Sequence, residues 1–340
     1  DDDDDDDAMP DPLAQLQAAI VENVSLYASK YEEEFQPHLQ RFAAAVWGRL
    51  MRTSRRRADD RLAVASIQFL ANVVGNGVHA MAFRDEATLR QIVESIVAPN
   101  LQLREADLEQ FSENPREYVA RDLEAADSET RRRSARELIQ SMCKHHEATT
   151  TSLCVAHARS LLASGKWRDK DAFFHLVVAL TVRAESARAG VSRTSTAVDV
   201  AEIFENHVKP ELSASSHTVT TTTQGGSTTT SASAPPSQQQ QQQHPVVLAD
   251  AIQFACTFRN QLSTESIVAL LPHLAAHCRS PHRVVHTYAA HALERFLQSR
   301  KIGRAEVEPH LAALLESLFA VIDGLVCAAS DAAAASSGTR

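Results

Sequence analysis

The sequence is poor in glycine, in aromatic residues and in paired cysteines. Only 10 of the 340 residues are glycine and 5% are aromatic, whereas 44% are hydrophobic. This composition is typical of a helical protein rich in alanine and leucine. The cysteines form no Cys-x-x-Cys pair and no regular framework, which favours a reducing, intracellular setting in which they pack as thiols. They are Cys143, Cys154, Cys256, Cys278 and Cys327.

Long uncharged apolar runs and basic stripes are also missing. The longest apolar stretch, 311–329, is interrupted by Glu316 and Asp323, so no run reaches the roughly 18 residues that a membrane span requires. The net charge is -9, but Asp1 to Asp7 supply seven of these charges. The arginines are interspersed with acids and lysines are few, unlike the composition of a nucleic-acid-binding surface. We therefore expect neither a membrane span nor a nucleic-acid partner.

Catalytic motifs are absent from the sequence as well. Ser164-Gly165-Lys166 lacks the upstream glycine of a phosphate-binding loop, because Ser160 stands in that position. One group of residues has the chemistry of zinc ligands, but its spacing is irregular, and packing between helices is the favoured interpretation. Its members are Cys143, His145, His146, Cys154 and His157. We predict no catalytic residue, no metal site and no cofactor, so the chain is not expected to be an enzyme.

Apolar residues recur at helical spacing almost throughout, and no alternating strand pattern is found, which predicts an all-α protein. The predicted helices are 13–29, 33–53, 58–74, 86–98, 128–146, 149–164, 168–186, 197–209, 246–261, 264–279, 282–299 and 305–328. Alternate helices carry a small residue and, four positions later, an apolar one. These pairs are Ser66/Leu70, Ala135/Ile139, Ala172/Leu176, Ala251/Ala255 and Ala289/Leu293.

The intervals between these pairs indicate a repeat. Once two insertions, near 99–127 and 212–245, are removed, the interval is roughly the 40–47 residues of a helix-pair solenoid. The sequence therefore predicts an α-solenoid of HEAT-type helix pairs, whose second helices line a concave surface where partners bind. The predicted organisation is an acidic disordered segment (1–12), a solenoid (13–211) with an acidic insertion (99–127), a disordered Thr/Ser/Gln-rich loop (212–245), further solenoid (246–328) and a disordered tail (329–340).

Three long stretches carry a family resemblance. They are YVARDLEAADSETRRRSARELIQSMCK (118–144), WRDKDAFFHLVVAL (167–180) and VVHTYAAHALERFL (284–297). They resemble the central part of the exportin-2 family, the importin-α re-exporters also called cellular apoptosis susceptibility proteins, within the importin-β (karyopherin) superfamily. The likeness covers nearly all of 20–322. The family's N-terminal Ran-binding repeats and its C-terminal half are absent from the sequence, and with the acidic opening run this indicates a partial, central fragment.

The resemblance implies a nuclear export receptor that binds Ran-GTP and importin-α and shuttles between nucleus and cytoplasm, with nucleoporins as further partners. It also implies that the acidic insertion contacts Ran and forms a hinge between closed and open states. The alternative is a HEAT-repeat interaction scaffold without transport activity.

The candidate partner-binding residues lie in the insertion, at the start of the next helix and on a helix near the end of the solenoid. Two interpretations of the three consecutive arginines remain open: they pair with insertion acids and neighbouring repeats, or at least one grips a partner's carboxylate. His286, Tyr288 and His291 either contact cargo or fill contacts between repeats. The candidates are Asp107, Glu109, Glu113, Glu117, Asp122, Glu124, Asp127, Arg131, Arg132, Arg133, His286 and His291. Asp127 or Ser128 is expected to cap the arginine-bearing helix, in preference to Thr130.

Overall fold

Helices make up most of the described structure. The computed structural model describes residues 11–124, 129–186, 190–196, 198–213 and 244–323. In its first part the α-helices are α1 (Pro12–Lys30), α2 (Glu32–Phe35), α3 (Leu39–Leu50), α4 (Asp60–Val74), α5 (Glu86–Ile92), α6 (Ala98–Leu101), α7 (Glu105–Glu113) and α8 (Pro115–Val119). They are followed by α9 (Arg131–Ala163), α10 (Trp167–Thr181), α11 (Val200–Ile203), α12 (Lys209–Ser213), α13 (Pro245–Thr257), α14 (Thr264–His277), α15 (Arg283–Leu297) and α16 (Arg304–Val307).

Short π-helical and 3₁₀ turns join several of these helices. A π-helical turn, Val93–Val97, connects α5 to α6, and another, Phe204–Val208, connects α11 to α12. A third, Ala120–Glu124, follows α8. After α16 the chain continues through a 3₁₀ turn, Glu308–His310, into a helix that reaches residue 323.

One row of helices runs through the whole described structure. α1 packs on α4, α4 on the first half of α9, α9 on α10, α10 on α13, and α13 on α15. We call these six the inner helices. The first pair runs parallel, because Arg61 bonds Gln15 near the two helix starts and Asn72 bonds Ser25 near the two ends. Helices α3, α5, α6, α12 and α14 pack against this row. Each precedes in the chain the inner helix that it packs on, so the inner helices are the second members of these pairs.

Small residues allow the inner helices to approach closely. All five of the small/apolar pairs that the sequence indicated are buried, from Ser66 and Leu70 in α4 to Ala289 and Leu293 in α15. Residues four apart lie on one helix face, so each pair presents a shallow surface to the neighbouring layer. This layered arrangement confirms the predicted all-α solenoid of HEAT-type helix pairs.

Helix α9 is two helices in one continuous segment. Its backbone leaves helical geometry at His146, where φ is -130° and ψ is 38°. The break falls between the predicted helices 128–146 and 149–164, so the two predicted helices exist without a loop between them. The helix begins after Thr130, whose side chain accepts a hydrogen bond from the Arg133 amide at 3.1 Å. Thr130 is therefore the cap, while the expected caps, Asp127 and Ser128, lie outside the described residues.

The expectation of no strands is wrong at one place. The helix predicted over 168–186 ends at Thr181, and the chain forms an antiparallel hairpin of β1 (Val182–Ser186) and β2 (Gly190–Thr194). Gly190 has φ of 74°, and a Cβ there would lie 2.4 Å from the Arg259 guanidinium. Only glycine fits this conformation and this close approach. The local sequence still looks helical because its apolar spacing continues past the point where the backbone turns.

Three predicted segments fall wholly or largely outside the described residues: the acidic start at 1–12, the Thr/Ser/Gln-rich loop at 212–245 and the tail at 329–340. The described helices include none that is both long and apolar enough to cross a lipid bilayer. Four of the five cysteines, Cys143, Cys154, Cys256 and Cys278, are buried free thiols.

Candidate partner-binding site

The three arginines at the start of α9 point to different neighbours. Arg131 donates from Nε to Asp60 of α4 at 2.5 Å. Arg132 donates from both terminal nitrogens to Asp171 of α10, at 3.1 and 2.7 Å. Arg133 stays about half exposed. Because successive residues of a helix project about 100° apart, adjacent arginines reach the inner helices on either side. The compensation expected for Arg131 and Arg132 thus comes from neighbouring repeats.

The first arginine belongs to a group that we call the Asp60 cluster, formed by Asp60, Arg104, Asp107, Arg121 and Arg131. Arg104 bridges the two aspartates, at 2.6 Å to Asp60 and 3.0 Å to Asp107. Arg121 reaches Asp107 at 3.2 Å. Burial raises the pKa of Asp107, but the hydrogen bond and charge of Arg104 outweigh it and bring the pKa to about 2. The cluster fastens the predicted insertion to α4 and α9.

The second arginine belongs to the Asp171 cluster, formed by Arg132, Asp171, His175 and Asp250. The Asp171 side chain is fully buried, and Asp250 is 7% exposed. Arg132 Nη1 lies 2.8 Å from His175 Nε2, which lies 3.6 Å from Asp250 Oδ1. Burial and the charge of Arg132 hold the pKa of His175 well below its usual value. This cluster joins α9, α10 and α13.

The Asp171 cluster contains side chains of the types that bind metal ions. Within the described ranges, Asp171, His175 and Asp250 are the one set of three acidic, histidine or cysteine side chains whose ligand atoms lie within 4.8 Å of one another. The guanidinium of Arg132 already provides the positive charge there and bonds both Asp171 and His175. The hypothetical zinc residues form no such set of three among the described residues, and His145 and His146 instead bond the carbonyls of Gly75 and Ala80.

The predicted insertion lies across the inner helices and covers both clusters. We call residues 105–124, which comprise α7, α8 and the following π-helical turn, the insert. Its Tyr118 is buried, and α8 packs on α15. There Tyr288 donates a hydrogen bond to Asp122. A groove of about 720 Å³ opens beside the insert, lined by side chains of both clusters and by His291 and Arg295. The insert thus bridges the inner row from α4 to α15.

Comparison with known proteins shows which family has this architecture. The family model named Cse1 matches residues 1–224 and 229–293. The chain is 35% identical over 319 residues to exportin-2 of Xenopus laevis and of Homo sapiens, and 36% to that of Pagrus major. The chain belongs to the Cse1 (exportin-2) family. These alignments cover 90% of this chain and 30% of each relative.

A solved structure agrees with this assignment. The exportin Cse1 in its cargo-free, cytoplasmic state superposes with a TM-score of 0.77 at 29% identity, over 95% of this chain and 32% of that one. This chain of the Cse1 family therefore spans about a third of the length of the proteins that it matches.

The candidate residues of this Cse1-family chain fall into exposed and internal groups. Glu109, Glu113 and Glu117 are exposed on the insert, and Arg133 is exposed in the first turn of α9. Internal positions are taken by Asp107, Arg131 and Arg132, which pair within the two clusters. His286 and His291 on α15 are partly buried, and Asp122 is partly buried at its contact with Tyr288. The Glu124 side chain and Asp127 lie outside the described residues.

Several residues of the site were not singled out in the sequence. They are Asp60, Arg104, Arg121, Tyr118, Asp171, His175 and Asp250. A signal existed for Asp250, which is the one charged residue in the largely apolar helix PVVLADAIQFACT. A carboxyl group in such a context is expected to be paired or protonated. Asp60 had no comparable signal, because it stands beside other charged residues at a helix start.

Proposed function

We propose that this chain is part of a nuclear export receptor of exportin-2 type, which binds Ran-GTP and importin-α and returns importin-α from the nucleus to the cytoplasm. The match over 90% of the chain to proteins named exportin-2 carries this proposal. The row of inner helices and the insert across it supply a curved surface with exposed charges, which is how solenoid proteins hold partners. Such a receptor shuttles between the two compartments.

The exposed acids of the insert are the favoured contact for Ran-GTP. Glu109, Glu113 and Glu117 are exposed, and no hydrogen bond within the described residues holds the first two. An acidic strip steers a basic partner and fixes its orientation more than it adds affinity. Arg133 offers the complementary charge, a guanidinium suited to a carboxylate of either partner.

The internal candidates act indirectly in this proposal. Asp107, Arg131 and Arg132 are committed to pairs with other side chains of the chain. They hold the insert against the inner helices and so position its exposed acids. The proposed activity is binding and release, which needs no catalytic residue and no cofactor from this chain.

A pull-down of importin-α with Ran tests the function. We expect the chain, extended by its neighbouring repeats where required, to retain importin-α with GTP-locked Ran and much less with the GDP form. Binding that is indifferent to the nucleotide favours an interaction scaffold instead. No binding by an extended chain rejects the receptor.

A charge reversal tests the proposed contact. Glu109→Lys, Glu113→Lys and Glu117→Lys together should weaken Ran-GTP binding and reduce its salt dependence, since the removed charges act through long-range attraction. Their exposure keeps the effect on folding small.

The matched control reverses three acids on other parts of the surface, through Glu33→Lys, Glu34→Lys and Glu202→Lys. Equal weakening by both triple variants would show that net charge, and not the insert, attracts Ran.

A further inference from the structure

The Asp171 cluster contains two carboxyl groups but a single permanent cation. Arg132 directs both terminal nitrogens to Asp171. Asp250 Oδ2 is buried and has no hydrogen-bond partner among the residues that the structure describes. Its other oxygen, Oδ1, faces His175 Nε2 at 3.6 Å. Asp250 therefore lacks the donor that a buried carboxylate requires.

His175 cannot supply that donor from Nε2. A guanidinium only donates hydrogen bonds, so the 2.8 Å contact from Arg132 Nη1 makes His175 Nε2 an acceptor. The imidazole is then neutral, and its proton is on Nδ1. No N–H points from Nε2 toward Asp250.

Two ionised carboxylates side by side in a buried site repel each other strongly. Oxygen atoms of Asp171 and Asp250 lie within 4.8 Å of one another, and one guanidinium cannot neutralise both charges. When like charges share a desolvated site, one of them is relieved by taking up a proton. We propose that Asp171 and Asp250 share one proton beneath the insert, carried by Asp250, and that this proton is released to water when the insert separates from the inner helices.

The groups around the pair favour the proton on Asp250. Burial, and then the charge of Asp171, raise the pKa of Asp250 well above its usual value. The pKa of Asp171 is raised by burial too, but Arg132 opposes the rise. Asp122 of the insert adds a further negative charge close to Asp250. Arg132 thus stabilises the ionised form of Asp171 by direct hydrogen bonds and leaves the proton to Asp250.

The elements whose ionisable groups face the pair contribute to this balance. α9 brings Arg132 and Arg136, α10 brings His175 beside Asp171, and α15 brings the buried hydroxyl of Tyr288. The insert brings the Tyr118 hydroxyl, Asp122 and the ionised Asp107. Both tyrosines have a pKa raised by burial, so they remain neutral and cannot provide charge compensation.

The insert covers Asp171 and Asp250, and this couples the proton on Asp250 to separation of the insert from the inner helices. Tyr118 and Asp122 of the insert lie over the pair, and Asp122 is held by Tyr288. If the insert separated, water would solvate Asp250 and lower its pKa. The covered state therefore binds one proton more than the uncovered state, and acid favours covering while alkali favours separation.

The first test compares stability in two variants across pH. The folded chain keeps the proton above pH 4, whereas an unfolded aspartate releases it at a pKa of about 3.9. Wild-type folding should thus lose up to about tenfold in equilibrium constant per pH unit between that value and the raised pKa of Asp250. Asp250→Asn, which mimics the protonated acid, should remove this loss. The difference between the stability-versus-pH curves of wild type and Asp250→Asn reports the Asp250 proton, because the other titrating groups contribute to both curves.

Asp171→Asn provides the contrast. It replaces one of the two oxygens that accept from Arg132 with an NH₂ group and removes the charge that pairs with the guanidinium, so stability should fall at every pH. If the two asparagine variants behave alike, or if wild type and Asp250→Asn show parallel pH curves, the proton is not held by Asp250.

The second test begins with the wild-type chain alone. In infrared spectra of the wild-type chain labelled with ¹³C at aspartate carboxyls, a protonated carboxylic acid should be visible at pH 7, where ordinary aspartates are ionised. Amide exchange of the insert, corrected for its intrinsic pH dependence, should rise with pH in wild type and not in Asp250→Asn. Absence of the protonated carboxyl band at pH 7 overturns the proposal, and equal exchange profiles overturn its coupling to the insert.

Discussion

The two buried ion clusters have opposite imbalances of charge. The Asp60 cluster has three arginines and two aspartates, and the Asp171 cluster has one arginine and two aspartates. They are joined by two adjacent residues, Arg131 and Arg132, which enter one cluster each. Both clusters lie at the insert and between inner helices. The Asp171 cluster is the more deeply buried of the two, since the Asp171 side chain is fully buried whereas that of Asp60 is 33% exposed.

The comparison shows that surplus arginines can be satisfied by main-chain carbonyls, whereas surplus carboxylates need additional donors. Surplus donors of the Asp60 cluster go to main-chain carbonyls: Arg131 reaches the carbonyls of Ser54 and Arg56, and Arg104 reaches that of Arg55. A guanidinium has five N–H groups and can bond several acceptors at once. A carboxylate can only accept, and the Asp171 cluster offers too few donors. An acid surplus therefore requires a proton.

The largest effect is expected from removing the single cation of the Asp171 cluster. Arg132→Met leaves two buried carboxyl groups without a counter-ion, and breaking a buried pair by removing one partner costs about 3–5 kcal/mol. Urea denaturation measures the loss. The matched control is Arg133→Met, because that side chain pairs with Glu137 while both are more than 40% exposed. If the two variants lose similar stability, the Asp171 cluster contributes no more than a surface pair.

An intermediate effect is expected from the Asp60 cluster. Asp107 has its pKa lowered to about 2 from 3.8 by Arg104 and Arg121. A lowered pKa means that the stabilisation is complete above the unfolded value and is lost as the pH falls from about 4 to about 2. This shift corresponds to about 2 kcal/mol, which Asp107→Asn should remove at neutral pH.

Acid denaturation checks the sign of that prediction. Wild type should lose stability below pH 4 more steeply than Asp107→Asn. Asp85→Asn, which replaces an exposed helix cap outside both clusters, serves as the control for aspartate substitution. The prediction fails if Asp107→Asn and wild type lose the same stability between pH 4 and pH 2.

The sequence predicted the solenoid better than it predicted these clusters. Helix pairs follow from local spacing, and Ser66 with Leu70 or Ala289 with Leu293 need only their own helix to define a buried face. Ion pairs depend on which helix lies opposite. Arg131 and Asp60 are 71 residues apart, and no local pattern connects them.

The same argument explains the other differences. The hairpin after Thr181 depends on the contact between Gly190 and Arg259, which belongs to a later repeat. The insert looked like an acidic strip, but Asp107 is internal, because Arg104 and Arg121 within the same segment neutralise it. Net charge along the chain cannot tell exposed acids from paired ones.

A smaller effect is expected where the insert contacts α15. Tyr288→Phe removes the hydrogen bond to Asp122 and keeps the ring packed, so about 1 kcal/mol of stability should be lost. Amide exchange should rise in the insert and not in α4. Tyr27→Phe is the control, since that ring is 58% exposed. Unchanged exchange in the insert would show that apolar packing of α8, and not this bond, holds its far end.

The smallest effect on stability is expected at the third arginine. Arg133→Glu reverses a half-exposed charge facing Glu137, and exposed pairs contribute about 0–1 kcal/mol, so unfolding should change little. Binding is a different matter, because Arg133 is the one of the three consecutive arginines that is not enclosed by the inner helices. If Ran-GTP or importin-α binding weakens while stability holds, Arg133 contacts a partner. Glu137→Arg is the control, because it breaks the Arg133–Glu137 ion pair but keeps the Arg133 guanidinium. This variant should preserve binding. Equal binding by wild type and Arg133→Glu would show that none of the three arginines contacts a partner and that their role is to stabilise the solenoid.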